Sequence, residues 1–149
     1  MGFGDLDGEF FLGLDKLHAL TAEHSQQLLV ILEDFEGTVH NVTYERFAIS
    51  GEDQQYGLNT LSKGIGTVAD SLAYQWGMKF TTYDRDNDIS SGRNCAEAKT
   101  GAGWYRDCTA SNLMGTYNST TCDKGVTWDA FRGCSYSLKR VVMMIRPRK

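Results

Sequence analysis

Four cysteines constrain this chain more than any other feature. They are Cys95, Cys108, Cys122 and Cys134, all within the last 55 of 149 residues. Neighbours lie 13, 14 and 12 positions apart, and none forms a Cys-x-x-Cys pair. That spacing argues against a zinc site of the usual kind and for disulfides. Four cysteines allow three pairings, and the spacing alone leaves all three open. Pairing neighbours would close two short loops, each worth about 3 kcal/mol in the chain-entropy model. An even count points to an oxidising compartment. Two glycosylation sequons agree with it, Asn41-Val-Thr43 and Asn118-Ser-Thr120. Met1–Leu6, by contrast, has neither the basic nor the apolar stretch of a signal peptide, so a cytosolic chain or a piece of a longer secreted one are the two alternatives.

The rest of the composition narrows the class. A chain of 149 residues suits one domain with a real core. The formal net charge is −4, with no basic excess to grip phosphates, so no nucleic-acid partner is expected. No apolar run approaches ~18 residues, so no membrane insertion is expected.

Residues 1–9 read as loop. Apolar residues at Phe10, Leu14, Leu17 and Leu20 step by three and four, predicting a short helix. Gln27–Phe35 is a dense apolar strand, and Glu36-Gly37 marks a turn. Val39–Ile49 alternates, predicting a half-buried strand that closes a hairpin with the first. Tyr56–Leu61 and Tyr136–Ile145 read as two more strands. Between Ser62 and Lys124 periodicity fades, and a region this long without it needs staples. The fold class is therefore α+β, with an antiparallel sheet, short helices and a large loop-rich half.

The sharpest local motif is Asp84-Arg85-Asp86-Asn87-Asp88. Alternating carboxylates on a loop can converge on one hard cation, or can simply line a solvated turn. The motif is not an EF-hand, because the sixth and twelfth positions hold Ile89 and Cys95. The following Ser90-Ser91-Gly92 could add backbone carbonyls. No nucleophile elbow and no His-Glu-x-x-His is present, and the three histidines lie in the N-terminal third, so no enzyme is expected. Trp104, Tyr105 and Trp128 read as core residues. An exposed subset of aromatics beside a loop pocket would suit carbohydrate.

Ordered along nearly the whole chain, several segments resemble the fibrinogen C-terminal domain family of ficolins, tachylectins, angiopoietins and fibrinogen chains. They include Gly8-Glu9-Phe10-Phe11-Leu12-Gly13-Leu14-Asp15-Lys16-Leu17, Asp34-Phe35-Glu36-Gly37 and Gly77-Met78-Lys79-Phe80. Asn94-Cys95-Ala96-Glu97, Trp104-Tyr105-Arg106-Asp107-Cys108 and Met143-Met144-Ile145-Arg146-Pro147 continue the match. The resemblance implies an extracellular, non-enzymatic recognition domain. Residues 1–149 would form one such domain lacking its N-terminal subdomain.

Residue by residue, the resemblance implies a Ca²⁺ site at Asp86 and Asp88, with carbonyls from Ser90 and Gly92. The loop from Asp86 to Cys95 is one residue longer than in ficolins, with Arg93 the extra residue. The family disulfide falls on Cys95 and Cys108. A cis peptide, Asp107–Cys108, would border the ligand, followed by Thr109. The walls of the family's acetyl pocket fall on Lys99, Cys122 and Cys134, with Asp123 and Tyr136 beside them. Because those walls face one pocket, the resemblance implies a Cys122–Cys134 bridge. The pocket would then prefer a polar or charged ligand. Microbial or cell-surface glycans are the implied partners; a receptor protein, as for angiopoietins, is the alternative. Family members also multimerise, so a homo-oligomer is a further expectation.

Overall fold

The computed structural model describes residues 3–4, 10–11, 13–22, 24, 26–122 and 124–147. Among these described residues the strands are β1 (Phe3–Gly4), β2 (Phe10–Phe11), β3 (Gln26–Glu33), β4 (Val39–Ile49), β5 (Leu58–Leu61), β6 (Gly64–Gly66), β7 (Ser111–Asn112), β8 (Thr127–Trp128) and β9 (Arg140–Pro147). Two α-helices, α1 (Leu14–Ala22) and α2 (Cys95–Ala98), complete the regular structure together with two 3₁₀ turns.

The main sheet is antiparallel, in the order β5-β4-β3-β9, with β6 also paired to β4. Its register follows from the apolar alternation. Leu28, Val30 and Leu32 point to the buried face of β3, opposite Tyr44, Val42 and His40 of β4. A slip of one residue would turn all three leucine and valine side chains to the other face. Fully burying each is worth about 1.5–3 kcal/mol. The hairpin turn at residues 34–37 lies where Glu36-Gly37 predicts it.

Three expected elements move. The helix starts at Leu14 rather than Phe10, because Phe10–Phe11 pair with Phe3–Gly4 and Gly13 takes φ +95°, outside the helical region. This also places a strand, β1, where residues 1–9 read as loop. Strand β5 begins at Leu58 rather than Tyr56, which has φ +51° in a turn. The closing strand runs Arg140–Pro147 rather than from Tyr136. Ser137 and Leu138 are instead drawn into the core, where the Ser137 hydroxyl accepts from the amides of Asn118 and Val126.

Tryptophans fasten the loop-rich half to the sheet. Trp104 packs edge-on against Phe47 and Phe80, and its indole N–H donates to the Tyr56 carbonyl at 2.8 Å. Trp128 is fully buried and donates to the Ala69 carbonyl at 2.9 Å. Disulfides link Cys95 to Cys108 and Cys122 to Cys134. No helix among the described residues is long and apolar enough to cross a membrane.

Candidate metal loop and ligand face

Residues 81–95 form a loop held by its own side chains. The Asn87 amide nitrogen Nδ2 donates to the Phe80 carbonyl at 2.8 Å. Asn94 Nδ2 donates to the carbonyls of Thr82 and Tyr83, while its Oδ1 caps α2 by accepting from the amides of Ala96 and Glu97. Gly92 turns the chain at φ +87°, a conformation that favours glycine.

The three carboxylates do not behave alike. Asp84 accepts the Thr82 hydroxyl, and that bond is the main reason its carboxyl sits below the usual range. Asp88 is half-buried. Its Oδ1 accepts from the Ser90 amide and its Oδ2 from the Cys95 amide, both at 2.8 Å. Burial pushes the Asp88 carboxyl up; the two amides oppose that, and the neighbouring Asp86 carboxylate reinforces it. Two like charges held side by side are the donor chemistry a hard, oxygen-seeking cation accepts. Asp86 and Asp88 could hold such a cation, with Ser90 and Gly92 on the same loop. The other close cluster, Cys95, Asp107 and Cys108, is no such site, since its two sulfurs are bonded to each other.

The loop is continuous with the residues after it. Asp88 grips the Cys95 amide, Cys95 is bonded to Cys108, and Cys108 follows Asp107 across a cis peptide. Arg93 spans the same gap on the outside, donating to the Ser90 hydroxyl at 3.3 Å and pairing with the Asp107 carboxylate at 3.5 Å. Thr109 donates its hydroxyl to the Ser111 carbonyl. Lys99 caps the C-terminus of α2, and its carbonyl accepts from the Asn112 side chain at 2.8 Å.

Tyr136 belongs to a second cluster. Its hydroxyl accepts from the Phe35 amide at 3.0 Å, and the Arg132 guanidinium lies 4.9 Å above its ring. Arg132 pairs with Asp34 and Glu36, and the Phe35 ring meets both Tyr117 and Tyr136. Hydrogen bonds tie together the segments beside Lys99 and Tyr136: Thr100 donates to the Lys124 carbonyl, which also accepts from Thr116, and the Asn118 amide donates to the Ser137 hydroxyl. Asp123 lies outside the described residues. Both sequon asparagines are exposed, Asn41 on β4 and Asn118 at φ +65° in a loop.

Sequence reasoning did not foresee the Arg132–Asp34 pair, the Arg93–Asp107 pair, or the role of Arg106. Arg106 Nε donates to the Tyr74 carbonyl at 2.6 Å and its Nη2 to the Trp76 carbonyl at 2.8 Å. Partners about 30 residues apart leave no periodic trace in a sequence.

Comparison with known proteins agrees with this architecture. Residues 1–148 match the family described as fibrinogen beta and gamma chains, C-terminal globular domain. Fibrinogen C domain-containing protein 1 of Xenopus tropicalis is 42% identical over 99% of this chain and 34% of its own. The fibrinogen-like globe domain of human ANGPTL2 superposes with a TM-score of 0.90 at 44% identity, covering 99% of this chain and 70% of that one. Lamprey fibrin D-dimer, solved with the peptide Gly-His-Arg-Pro-amide, superposes with a TM-score of 0.89 at 29% identity, covering 99% and 53%. The chain spans about a third to three fifths of the length of the curated relatives it matches.

Proposed function

The chain belongs to the fibrinogen C-terminal domain family, and from that premise we propose that it is a secreted, non-enzymatic, calcium-binding recognition module. It is lectin-like and binds microbial or cell-surface glycans in innate immunity. Asp86 and Asp88 hold the calcium ion through their carboxylates, with Ser90 and Gly92 supplying carbonyls. Bound calcium supplies a fixed positive charge that neutralises the two carboxylates and stiffens the loop. The glycan lies against Asp107, Cys108 and Thr109, with Lys99 and Tyr136 as further ligand contacts. Asn41 and Asn118 carry N-linked glycans, which treatment with a glycan-removing amidase would register as a loss of mass.

One observation carries this reading. The Asp88 carboxylate, the Cys95 amide, the Cys95–Cys108 bridge and the Asp107–Cys108 peptide form one connected unit. Fixing the metal loop therefore fixes the backbone against which a ligand lies. Lys99, Asp107 and Arg93 give that backbone a polar and charged surround, which favours polar ligands over a simple acetyl group. Screening the oxidised protein on a panel of immobilised glycans, with calcium and then with chelator, tests the reading. Binding that disappears with chelator supports it; no glycan bound under either condition overturns it.

A protein ligand is the second reading, and the peptide named with the lamprey homologue favours it. Binding to cells that survives enzymatic removal of surface glycans would select this alternative.

A further inference from the structure

Beyond Asp107 the same face continues onto two exposed aromatic rings. Tyr74 is 44% exposed and Trp76 is 54% exposed. Each ring is held by its polar atom. The Tyr74 hydroxyl donates to the Asp107 carbonyl at 3.1 Å, and the Trp76 indole N–H donates to the Asn59 carbonyl at 3.3 Å. A surface Tyr or Trp ordinarily turns its polar tip to water and its body to the protein. Here the tips are engaged internally, while much of each ring surface remains open to solvent.

Arg106 sits between the two residues. It donates to both their carbonyls, and its guanidinium carbon lies 5.5 Å from the Tyr74 ring centroid. Its partners are neutral carbonyls and a ring. Among the described residues no carboxylate pairs with Arg106, and the adjacent Asp107 is paired with Arg93. In a chain of net charge −4, this is a cation held in place amid apolar surface. The Arg106 carbonyl also accepts from the Ile89 amide at 3.2 Å, which joins the patch to the metal loop.

We propose that Trp76, Tyr74 and Arg106 form a second subsite, for an acidic sugar. The C–H face of the pyranose stacks on Trp76, and its carboxylate or sulfate pairs with Arg106. The two carbonyls take Nε and one Nη2 hydrogen, so the remaining Nη1–Nη2 edge of the planar guanidinium meets the oxyanion, and its position beside aromatic surface lowers the competing hydration. The rings and the fork are already fixed by hydrogen bonds, so little side-chain entropy is lost on binding. Three side chains fall far short of the roughly 800 Å² per partner that a stable protein interface needs, which disfavours a protein or a second copy as occupant. This inference rests on the glycan reading above and names a ligand class for the same face.

The test titrates the oxidised, calcium-loaded protein with three probes: chitin oligosaccharides, hyaluronan oligosaccharides and chondroitin sulfate oligosaccharides. The acidic probes should bind about tenfold tighter than the neutral one, with affinity falling as salt rises. Trp76→Ala should weaken the acidic probes about tenfold while leaving the calcium-induced melting shift unchanged. Arg106→Lys keeps the charge but loses the fork, and should weaken them several-fold. Hyaluronan carries carboxylate alone, so comparing it with chondroitin sulfate identifies the anion. Acidic binding unchanged by Trp76→Ala overturns the subsite. Binding of chitin alone overturns it too, yet leaves the glycan reading standing; no binding of any glycan overturns both. Self-association of the protein that Trp76→Ala abolishes would assign the patch to a second copy instead.

Discussion

The two disulfides close loops of nearly equal length, with sequence separations of 13 and 12, yet only one of them touches the metal loop. That contrast makes a sharp experiment. Cys122→Ala with Cys134→Ala should cost about 3 kcal/mol, the loop-closure entropy returned to the unfolded chain. Cys95→Ala with Cys108→Ala should cost the same about 3 kcal/mol, plus ~1 kcal/mol for each methyl-sized void. The voids arise because Cys95 and Cys108 are 0% and 6% exposed, whereas Cys122 lies at the surface. For a chain of this size, each kcal/mol moves the midpoint by roughly 2–4 °C. The expected losses are then about 6–12 °C and about 10–20 °C. Calorimetry with and without calcium separates stability from metal binding. The Cys122/Cys134 variant should keep the full calcium shift. The Cys95/Cys108 variant should lose most of it, because the Cys95 amide that holds Asp88 is no longer tethered. An intact calcium shift in the second variant, or a lost one in the first, would refute the claim that the 95–108 bridge couples metal loop to ligand face.

Two further perturbations probe the frame. At Asp34, burial pushes the carboxyl up, but hydrogen bonds from Thr38, Arg132 and Glu36 outweigh it and hold the carboxyl below the usual range. Its folded value is thus lower than its unfolded one, so its contribution is present at neutral pH and is lost as pH falls below about 4. Arg132→Gln should lower stability at pH 7 and flatten the acid limb of a urea-midpoint-versus-pH curve; an unchanged limb would contradict the assignment. Trp104→Phe should cost about 2–3 kcal/mol, from one hydrogen bond and the void left between Phe47 and Phe80. Urea unfolding measures it, and a loss under about 0.5 kcal/mol, the scale of a surface change, would mean that Trp104 does not fasten the two halves.

The hairpin was legible because two independent signals agree there. Dense apolar residues from Leu28 to Leu32 and alternation from Val42 to Phe47 both point to one buried face, and β3 and β4 share it. The helix start was not, because Phe10 keeps helical spacing with Leu14 and Leu17 while pairing as a strand. Spacing cannot register the left-handed turn at Gly13 that separates the two. The closing strand starts late for a similar reason: Tyr136 and Leu138 are as apolar as a strand requires, but they lie in a loop, where the Tyr136 ring meets Phe35 and Leu138 is fully buried.

The candidate site divides in the same way. Asp86 and Asp88 stand out because their alternation is local. The pairing of Arg132 with Asp34 joins residues about a hundred positions apart, and Arg106 finds Tyr74 and Trp76 about 30 positions upstream. Such contacts depend on how the loops stack over the sheet. The aromatic residues show the same limit. Trp104, Tyr105 and Trp128 are buried and Trp76 is not, although composition treats all of them alike.

The account turns on calcium at Asp86 and Asp88. The most direct test is a thermal melt of the oxidised protein with calcium and with chelator, beside the variant carrying Asp86→Asn and Asp88→Asn. Asparagine keeps the size but removes both charges, and its one acceptor oxygen at position 88 keeps one of the two bonds from the Ser90 and Cys95 amides while the cation loses its anionic ligands. Calcium should raise the midpoint of the native protein and leave that of the variant unmoved. An equal calcium shift in both proteins would contradict the site.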